Sequence, residues 1–290
     1  MIRQNNQILR GIENEMSKTI AQSDVARMNA ANTEDVEISD ATALVLKSCI
    51  EQAKLTSGAF NPALGGVINA WDFGTENAHV PAQAKLEELL AHTDYNQVTV
   101  NISEDGKAVA NAGGTKIDLG GAAKGYALDL LAQNLSDNHV SSAILSVGGS
   151  IYATGKKPDG GTYKIGIRDP DGGENDYMAT LDLDGRFVST SGIYERGFTE
   201  NGKYYFHILD PKTGYPADTG LKAVTVICDS GLKSDIYSTA LFVMGPEKGI
   251  AFAQQQGADA LFLTDDKRVI MTDGFAEKYN LTIKNREYHE

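Results

Sequence analysis

Three oxygen-bearing side chains recur at helical spacing in the segment from Ser234 to Gly245. If this segment is a helix, Asp235, Ser238 and Thr239 share one face near its N-terminus, because residues three and four apart lie together. One carboxylate with nearby oxygens suits a hard cation such as Mg²⁺, which retains water and binds substrate phosphate oxygens. The alternative is that Ser234 or Asp235 only caps the helix and the apolar residues that follow pack in the core.

A pair of glycines, Gly120 and Gly121, separates a predicted strand from a predicted helix. Such a turn aims backbone N–H groups at an anion and lets a ligand approach the main chain closely. Lys124, in the first turns of the helix, could neutralise a phosphate. The segment matches neither the P-loop pattern nor the Gly-x-Gly-x-x-Gly dinucleotide pattern. It therefore indicates either an anion-binding turn or a tight turn beside a solvated Lys124.

His207 follows a predicted strand and precedes a turn that contains Asp210-Pro211 and Gly214. A histidine in that position can accept or donate a proton near neutral pH. The alternative is a histidine that is hydrogen-bonded within a rigid turn. The hydroxyl-rich segment 189–196 lacks the Gly-x-Ser-x-Gly elbow of a serine nucleophile, so we interpret it as a hydrogen-bonding wall.

Composition limits the classes of partner. The 290 residues have a formal net charge of -13 and a pI near 4.8. Nucleic-acid binding that is independent of sequence depends on a basic surface, so this charge argues against it. An anionic ligand must be held locally by N–H groups, a few cations or a metal. Cys49 and Cys228 stand in apolar segments and are expected to be buried free thiols.

These residues must be positioned by a fold that mixes helices and strands without regular βαβ alternation, which favours the α+β class. Periodicity predicts helices at 7–23, 40–53, 81–90, 122–135, 234–244 and 246–256, and a loop at 29–37. It predicts strands at 97–102, 107–111, 116–119, 142–147, 150–154, 163–167, 178–183, 186–191, 203–209, 223–228, 260–264, 269–272 and 281–283.

Several short segments, taken in order, resemble the ApbE family of FAD:protein FMN transferases. They are Gly-Ala-Phe-Asn-Pro at 58–62, Asn-Ala-Trp-Asp-Phe-Gly at 69–74, Asp-Leu-Gly-Gly-Ala-Ala-Lys-Gly-Tyr-Ala at 118–127, Val-Gly-Gly at 147–149, Ser-Thr-Ser-Gly at 189–192, His-Ile-Leu-Asp-Pro-Lys-Thr-Gly at 207–214, and the segment from Ser-Asp at 234–235 to Gly245. The resemblance covers about residues 17–272. Each segment is modest alone, but all of them in the family order are specific.

The resemblance implies one α+β domain over residues 1–290, of the T-fold-like kind, with mixed and largely antiparallel sheets, packed helices and FAD in a central cleft. Members split FAD with Mg²⁺ and transfer FMN to a threonine hydroxyl of an acceptor flavoprotein, which belongs to a membrane redox system. The products are a phosphoester link and AMP. Some members instead hydrolyse FAD to FMN and AMP.

Site residues follow from the resemblance by position. It implies His207 and Asp235 as catalytic residues, with His207 as a base for the acceptor threonine. The implied metal ligands are Asp235 and Thr239 through their side chains, Gly121 through its main-chain oxygen, and Ser238. The implied flavin-nucleotide contacts are Ala59, Phe60, Asn61, Asp118, Gly120, Lys124, Gly148, Gly149, Ser191, Gly192, His207 and Leu209.

Some positions depart from the family pattern. Asn61 stands where Asp is common, Ser146 and Ser150 stand where Asn and Asp are usual, Ile193 replaces an Asp, and Thr19 replaces an aromatic residue. These departures leave two alternatives to the transferase: a Mg²⁺-dependent FAD pyrophosphatase, and a flavin-binding module without enzymatic activity.

The family's first strand is expected to be missing before Ile2. The N-terminal residues form no apolar signal-peptide core, and the sequence contains no run of about 18 apolar residues. The resemblance implies an extracytoplasmic location, membrane-associated or periplasmic, for the full-length protein. The polar start fits either a cytosolic protein or a chain separated from its export segment.

Overall fold

A computed structural model describes residues 1–289, in which helices and short strands are interspersed. The helices are α1 (Ile2–Met16), α2 (Asp24–Ala31), α3 (Asp40–Leu55), α4 (Gly65–Trp71), α5 (Gln83–Leu90), α6 (Ala123–Asp137), α7 (Gly231–Met244), α8 (Pro246–Gln255) and α9 (Phe275–Lys278). The strands are β1 (Val36–Glu37), β2 (Thr99–Ile102), β3 (Ala108–Asn111), β4 (Ala143–Val147), β5 (Ser150–Thr154), β6 (Tyr163–Arg168), β7 (Tyr177–Leu183), β8 (Arg186–Gly192), β9 (Gly197–Glu200), β10 (Lys203–Phe206), β11 (Leu221–Cys228), β12 (Asp259–Thr264), β13 (Val269–Met271) and β14 (Thr282–Ile283). Within residues 1–289, no helix is both long and apolar enough to cross a membrane.

The described residues divide into two compact units. The sheet unit comprises residues 1–5, 124–195 and 218–289, and the helix-rich unit comprises residues 6–123 and 196–217. The assignment of one catalytic domain to residues 1–290 stays a prediction, and Glu290 lies outside the described residues.

The sheet unit is built on an antiparallel sheet with the strand order β13-β12-β11-β8-β5-β4. A second sheet, β14-β7-β6, shares an apolar core with it, and that core includes Met178, Leu181, Val188, Leu261 and Phe275. Val188 points into this core, whereas its neighbour Ser189 bonds to α7. Because successive strand residues face opposite sides, α7 covers the other face of the sheet.

The helix-rich unit has its own core around the single tryptophan. Trp71 is fully buried, stacks on Phe73 at 5.3 Å and meets Tyr215 edge to face at 5.4 Å. Its indole N–H donates to the carbonyl of Gly214 at 2.7 Å, which satisfies the polar end of a ring that is otherwise surrounded by apolar groups. This bond holds the turn that follows His207 against α4.

The α+β class and the antiparallel sheets are confirmed, but several boundaries differ from the sequence prediction. The helix predicted at 7–23 ends at Met16. A second helix, α2, begins at Asp24, where the Ser23 hydroxyl accepts the N–H of Ala26, and it extends into the segment predicted as a loop at 29–37. The strand predicted at 116–119 is wrong: Lys116 forms only an isolated bridge with Leu64. The strand β9 was not predicted.

Candidate functional site

The helix that contains the predicted metal ligands begins earlier than its pattern indicated. Ser230 is the N-cap of α7, and its hydroxyl accepts the N–H of Lys233 at 3.3 Å. The prediction that Ser234 or Asp235 caps this helix is therefore wrong. Asp235 lies in the second turn, where its side chain is free to bond to other elements.

The carboxylate of Asp235 is 5% exposed and bonds to the start of a different helix, α6. It accepts the N–H of Gly125 at 3.1 Å and lies 3.3–3.4 Å from the ammonium nitrogen of Lys124. The sheet unit thus brings together two of the predicted residues, Asp235 and Lys124. The N-terminus of α6 contributes further positive potential at this point.

This contact requires an unusually close crossing of α6 and α7. A Cβ placed on Gly125 would lie 2.1 Å from the carbonyl oxygen of Gly231, and a Cβ on Gly231 would lie 2.3 Å from the carbonyl oxygen of Gly125. Only glycine allows two backbones to approach so closely. The pair of glycines therefore sets the separation that lets Asp235 reach the N–H of Gly125.

The hydroxyl groups on α7 are held by a network that continues into β8. Ser238 is buried, and its hydroxyl donates to the carbonyl of Asp235 at 2.8 Å. The hydroxyl of Ser191 lies 2.9 Å from that of Ser238 and 3.3 Å from that of Thr239. Ser191, expected to contact the flavin, is therefore placed against two of the predicted metal ligands.

The remaining predicted residues of the sheet unit lie in turns. Gly148 and Gly149 form the two-residue turn between β4 and β5 with positive φ angles of 54° and 90°, which favour glycine. A Cβ on Gly148 would lie 2.9 Å from Cδ of Lys124, so this turn adjoins the lysine stem. Gly192 instead makes room for the ring of Tyr194, whose pKa is raised to about 12, chiefly by burial.

In the helix-rich unit, the glycine turn is organised by Asp118. One carboxylate oxygen accepts the N–H of Gly120 at 2.7 Å, and the other lies 2.7 Å from the ammonium of Lys18. Lys18 also donates to the side-chain oxygen of Asn69 at 2.9 Å. The sequence prediction missed Lys18. Gly121 follows in the same turn and is half-buried, two residues before α6 begins.

The other predicted residues of this unit have structural contacts of their own. Asn61 is committed to a turn, since its amide donates to the carbonyl of Thr93 at 2.9 Å and its oxygen accepts the N–H of Ala63 at 2.8 Å. Its neighbour Phe60 is buried, and Leu209 packs in the tryptophan core. Ala59 is half-buried in the same turn as Asn61.

His207 follows β10 and is half-buried. Its Nδ1 lies 3.3 Å from the carbonyl oxygen of Arg196. A neutral ring that donates through Nδ1 keeps Nε2 as its acceptor nitrogen, which is the form that a general base requires.

The oxygen chemistry around Asp235 fits a hard cation. One carboxylate and the hydroxyls of Ser238 and Thr239 lie on one helix, and Mg²⁺ is commonly held by one or two carboxylates together with water and phosphate oxygens. Among residues 1–289, no group of three or more His, Cys, Asp or Glu side chains could hold a metal ion. A metal held entirely by such side chains, as zinc often is, does not fit the described residues.

Comparisons with known proteins agree on one family. The ApbE family model matches residues 2–262. A protein of Treponema pallidum called FAD:protein FMN transferase is 34% identical over 268 residues, which cover 88% of this chain and 74% of that protein. A protein of the same name from Klebsiella pneumoniae is 32% identical over 268 residues, covering 92% and 83%.

Solved structures show the same fold. The crystal structure of the ApbE protein of Thermotoga maritima has a TM-score of 0.86 and 35% sequence identity, and covers 95% of this chain and 90% of that chain. The apo form of the flavinyl transferase ApbE of Pseudomonas stutzeri has a TM-score of 0.81 and 32% identity, covering 94% and 86%. The expected fold is confirmed, and the chain belongs to the ApbE family.

Proposed function

We propose that this protein is an FAD:protein FMN transferase. With Mg²⁺ it transfers FMN from FAD to a threonine hydroxyl of an acceptor flavoprotein and releases AMP. The names of the relatives support the transferase activity. The observation in the structure that supports it best is the buried Asp235 carboxylate, which meets Lys124 and the start of α6 beside two hydroxyl-bearing residues.

Asp235 and Thr239 are the residues that would hold Mg²⁺ through their side chains, with Ser238 and the main-chain oxygen of Gly121 as further ligands. When bound, the cation would neutralise charge on the pyrophosphate oxygens of FAD. Ser191 supports this arrangement, because its hydroxyl is shared between Ser238 and Thr239 and so restricts their rotamers. The Ser191 hydroxyl would thus orient the metal ligands, and Ser191 as a flavin contact stays a prediction.

Lys124 supplies a positive charge beside Asp235. The formal net charge of -13 opposes the approach of an anionic dinucleotide, so local cations must offset that repulsion. The lysine stem passes Gly148, where the absence of a side chain leaves space for it. In our proposal, Lys124 turns its ammonium group from Asp235 towards a phosphate when FAD binds.

In the transfer step, the threonine oxygen forms a bond to the FMN-side phosphorus while the pyrophosphate P–O bond on the AMP side of that phosphorus breaks. AMP leaves with the bridging oxygen, and the threonine proton passes to a base. We assign that base to Nε2 of His207, whose ring is oriented through the carbonyl of Arg196. Phosphoryl transfer depends mainly on such positioning and on charge neutralisation.

We further propose that the acceptor belongs to a membrane redox system and that the full-length protein acts outside the cytoplasm, membrane-associated or in the periplasm. Family membership supports both proposals. A fractionation experiment on cells that express the full-length protein would test the location.

The activity is tested by incubating the protein with FAD, MgCl₂ and an acceptor domain, and by weighing the acceptor by mass spectrometry. The expected result is a mass gain of one FMN unit that disappears with EDTA. Asp235→Ala should abolish it, whereas Asp229→Ala, which removes an exposed carboxylate just before α7, should not. Full transfer by Asp235→Ala at the same Mg²⁺ concentration would refute the assignment.

Two control measurements separate the other activities. AMP release at the same rate without acceptor would identify a hydrolase, and intact FAD after prolonged incubation with acceptor would identify a binding module. For His207→Ala, we expect slower transfer with unchanged flavin affinity. An equal loss of both would make His207 a binding residue and not a base.

A further inference from the structure

Asp129 on α6 makes an unusual set of contacts with the first turn of α7. Its carboxylate accepts the N–H of Gly231 at 2.6 Å and the N–H of Leu232 at 2.9 Å, and the hydroxyl of Ser230 lies 3.3 Å away. Burial raises the pKa of Asp129, and the two N–H donors offset part of that rise. No motif in the sequence marked this residue.

The bonds at the start of α7 explain what Asp129 contributes. A helix leaves its first N–H groups without partners inside the helix. Ser230 satisfies the third of them, on Lys233, and Asp129 satisfies the first two. The cap of α7 is therefore shared between its own N-cap residue and a side chain from another helix, and this ties the two helices together.

The arrangement is reciprocal. Asp129 lies four residues after Gly125 on α6, and Asp235 lies four residues after Gly231 on α7. The two glycines touch, and each aspartate bonds to backbone N–H groups at the start of the opposite helix. Each helix thus holds the start of the other through one carboxylate. The two carboxylates lie on either side of the backbone contact between Gly125 and Gly231.

We propose that Asp129 is a positioning residue that holds Asp235 and Thr239 in place for a divalent cation. It acts by fixing the first turn of α7 to α6, through its bonds to Ser230, Gly231 and Leu232. This inference rests on the proposed function, because it assumes that Asp235 binds the cation. Asp129, a residue outside the cation site, then sets the geometry of that site.

The test uses Mn²⁺ alone, a hard divalent cation in place of Mg²⁺, added to the purified full chain. Bound Mn²⁺ is measured by the loss of the electron paramagnetic resonance signal of the free ion. Asp129→Asn keeps the shape of the side chain but points an N–H₂ group at backbone N–H donors. We expect about tenfold weaker binding, as for other residues that orient metal ligands.

A matched control is available in Asp24, a buried carboxylate that likewise bonds to the start of a helix, through the N–H of Ser39 at 2.9 Å. Asp24→Asn should lower stability without changing Mn²⁺ affinity, so it separates positioning from loss of stability. Asp129→Glu, which restores a carboxylate, should bind Mn²⁺ more tightly than Asp129→Asn. If Asp129→Asn does not fold, Ser230→Ala removes one contact of Asp129 and should weaken binding in the same direction.

The outcomes are distinct. Wild-type affinity in Asp129→Asn, or in Ser230→Ala where that variant is needed, overturns the inference, and so does equal weakening in Asp24→Asn. If Asp235→Ala binds Mn²⁺ as tightly as wild type, the proposed metal site itself is wrong and the inference falls with it. Weak binding in both Asp235→Ala and Asp129→Asn, with Asp24→Asn unchanged, supports the inference.

Discussion

Replacing Gly125 by alanine tests whether the close crossing of α6 and α7 sets the site. The added Cβ would lie 2.1 Å from the carbonyl oxygen of Gly231 and 2.8 Å from Cβ of Asp235. Both neighbours are held rigidly, one as backbone and the other as the base of a buried side chain. The two helices must therefore separate by more than about 1 Å before the contact reaches an ordinary van der Waals distance.

The energy of this change has three parts. Alanine favours a helix over glycine by about 1 kcal/mol. Overpacking costs about 1–3 kcal/mol, and losing the bond between the Gly125 N–H and the Asp235 carboxylate costs about 1.5–3 kcal/mol. We expect Gly125→Ala to lower the free energy of unfolding by about 1.5–5 kcal/mol. Transfer of FMN should slow by about 100-fold, because a shift of 1 Å misplaces Asp235.

Urea unfolding followed by circular dichroism measures the stability change, and acceptor mass measures the transfer. Gly11→Ala is the control, since nothing lies within 4 Å of a Cβ at that position of α1. It should raise stability by about 0.5–1 kcal/mol and leave transfer unchanged. If Gly125→Ala were as stable and as active as Gly11→Ala, the crossing would not set the site.

Three further changes test other parts of the structure. Trp71→Phe removes the N–H donor to the carbonyl of Gly214 from a fully buried ring, so it should lower the free energy of unfolding by about 1–3 kcal/mol. Urea unfolding followed by circular dichroism measures this change, and an unchanged midpoint would contradict the role of that bond. For Asp24, burial disfavours the ionised form, but the N–H of Ser39 and the hydroxyls of Thr42 and Ser39 outweigh it and lower the pKa below its ordinary value of 3.8. The stabilisation by the Asp24 carboxylate is therefore present above pH 3.8 and is lost as the pH falls through its lowered pKa. Asp24→Asn should be less stable than wild type at pH 7 and approach wild-type stability in acid. A difference in stability that does not depend on pH would argue against this role of Asp24. Both cysteines are buried, and burial raises the pKa of Cys228 to about 12, so a thiol reagent should label them only as fast as the protein opens.

The elements that could be predicted are those whose signal is local. The apolar run of β11 and the apolar end of α7 both gave correct elements, because both are buried over most of their length. The two-residue turn at Gly148 and Gly149 was also placed correctly, since positive φ angles strongly favour glycine. The prediction of a strand at 116–119 is wrong, because a short apolar run fits a buried loop as well as a strand.

The start of α7 could not be read from the sequence because its cap is tertiary. Ser230 is not followed three residues later by the Glu or Gln of a capping box but by Lys233, and the first two N–H groups bond to Asp129 on another helix. The local sequence indicates the role of Asp129 only through its spacing of four residues from Gly125. Lys18 escaped prediction for a similar reason, since its partner Asp118 is distant in the chain.

Asp235 has two interpretations from the sequence, as a helix cap and as a metal ligand, and its place between α6 and α7 makes them compatible. In the sequence, a cap and a metal ligand were competing roles for one carboxylate on its own helix. In the structure, Asp235 lies on α7 but caps α6. Its second carboxylate oxygen, and the face of α7 that it shares with Thr239, therefore take no part in capping α7. The N-terminus of α6 and Lys124 attract an anion, and Asp235 attracts a cation at the same point. A site with both charges side by side is suited to a substrate that arrives as an anion together with its metal, and this is the requirement that FAD and Mg²⁺ would impose.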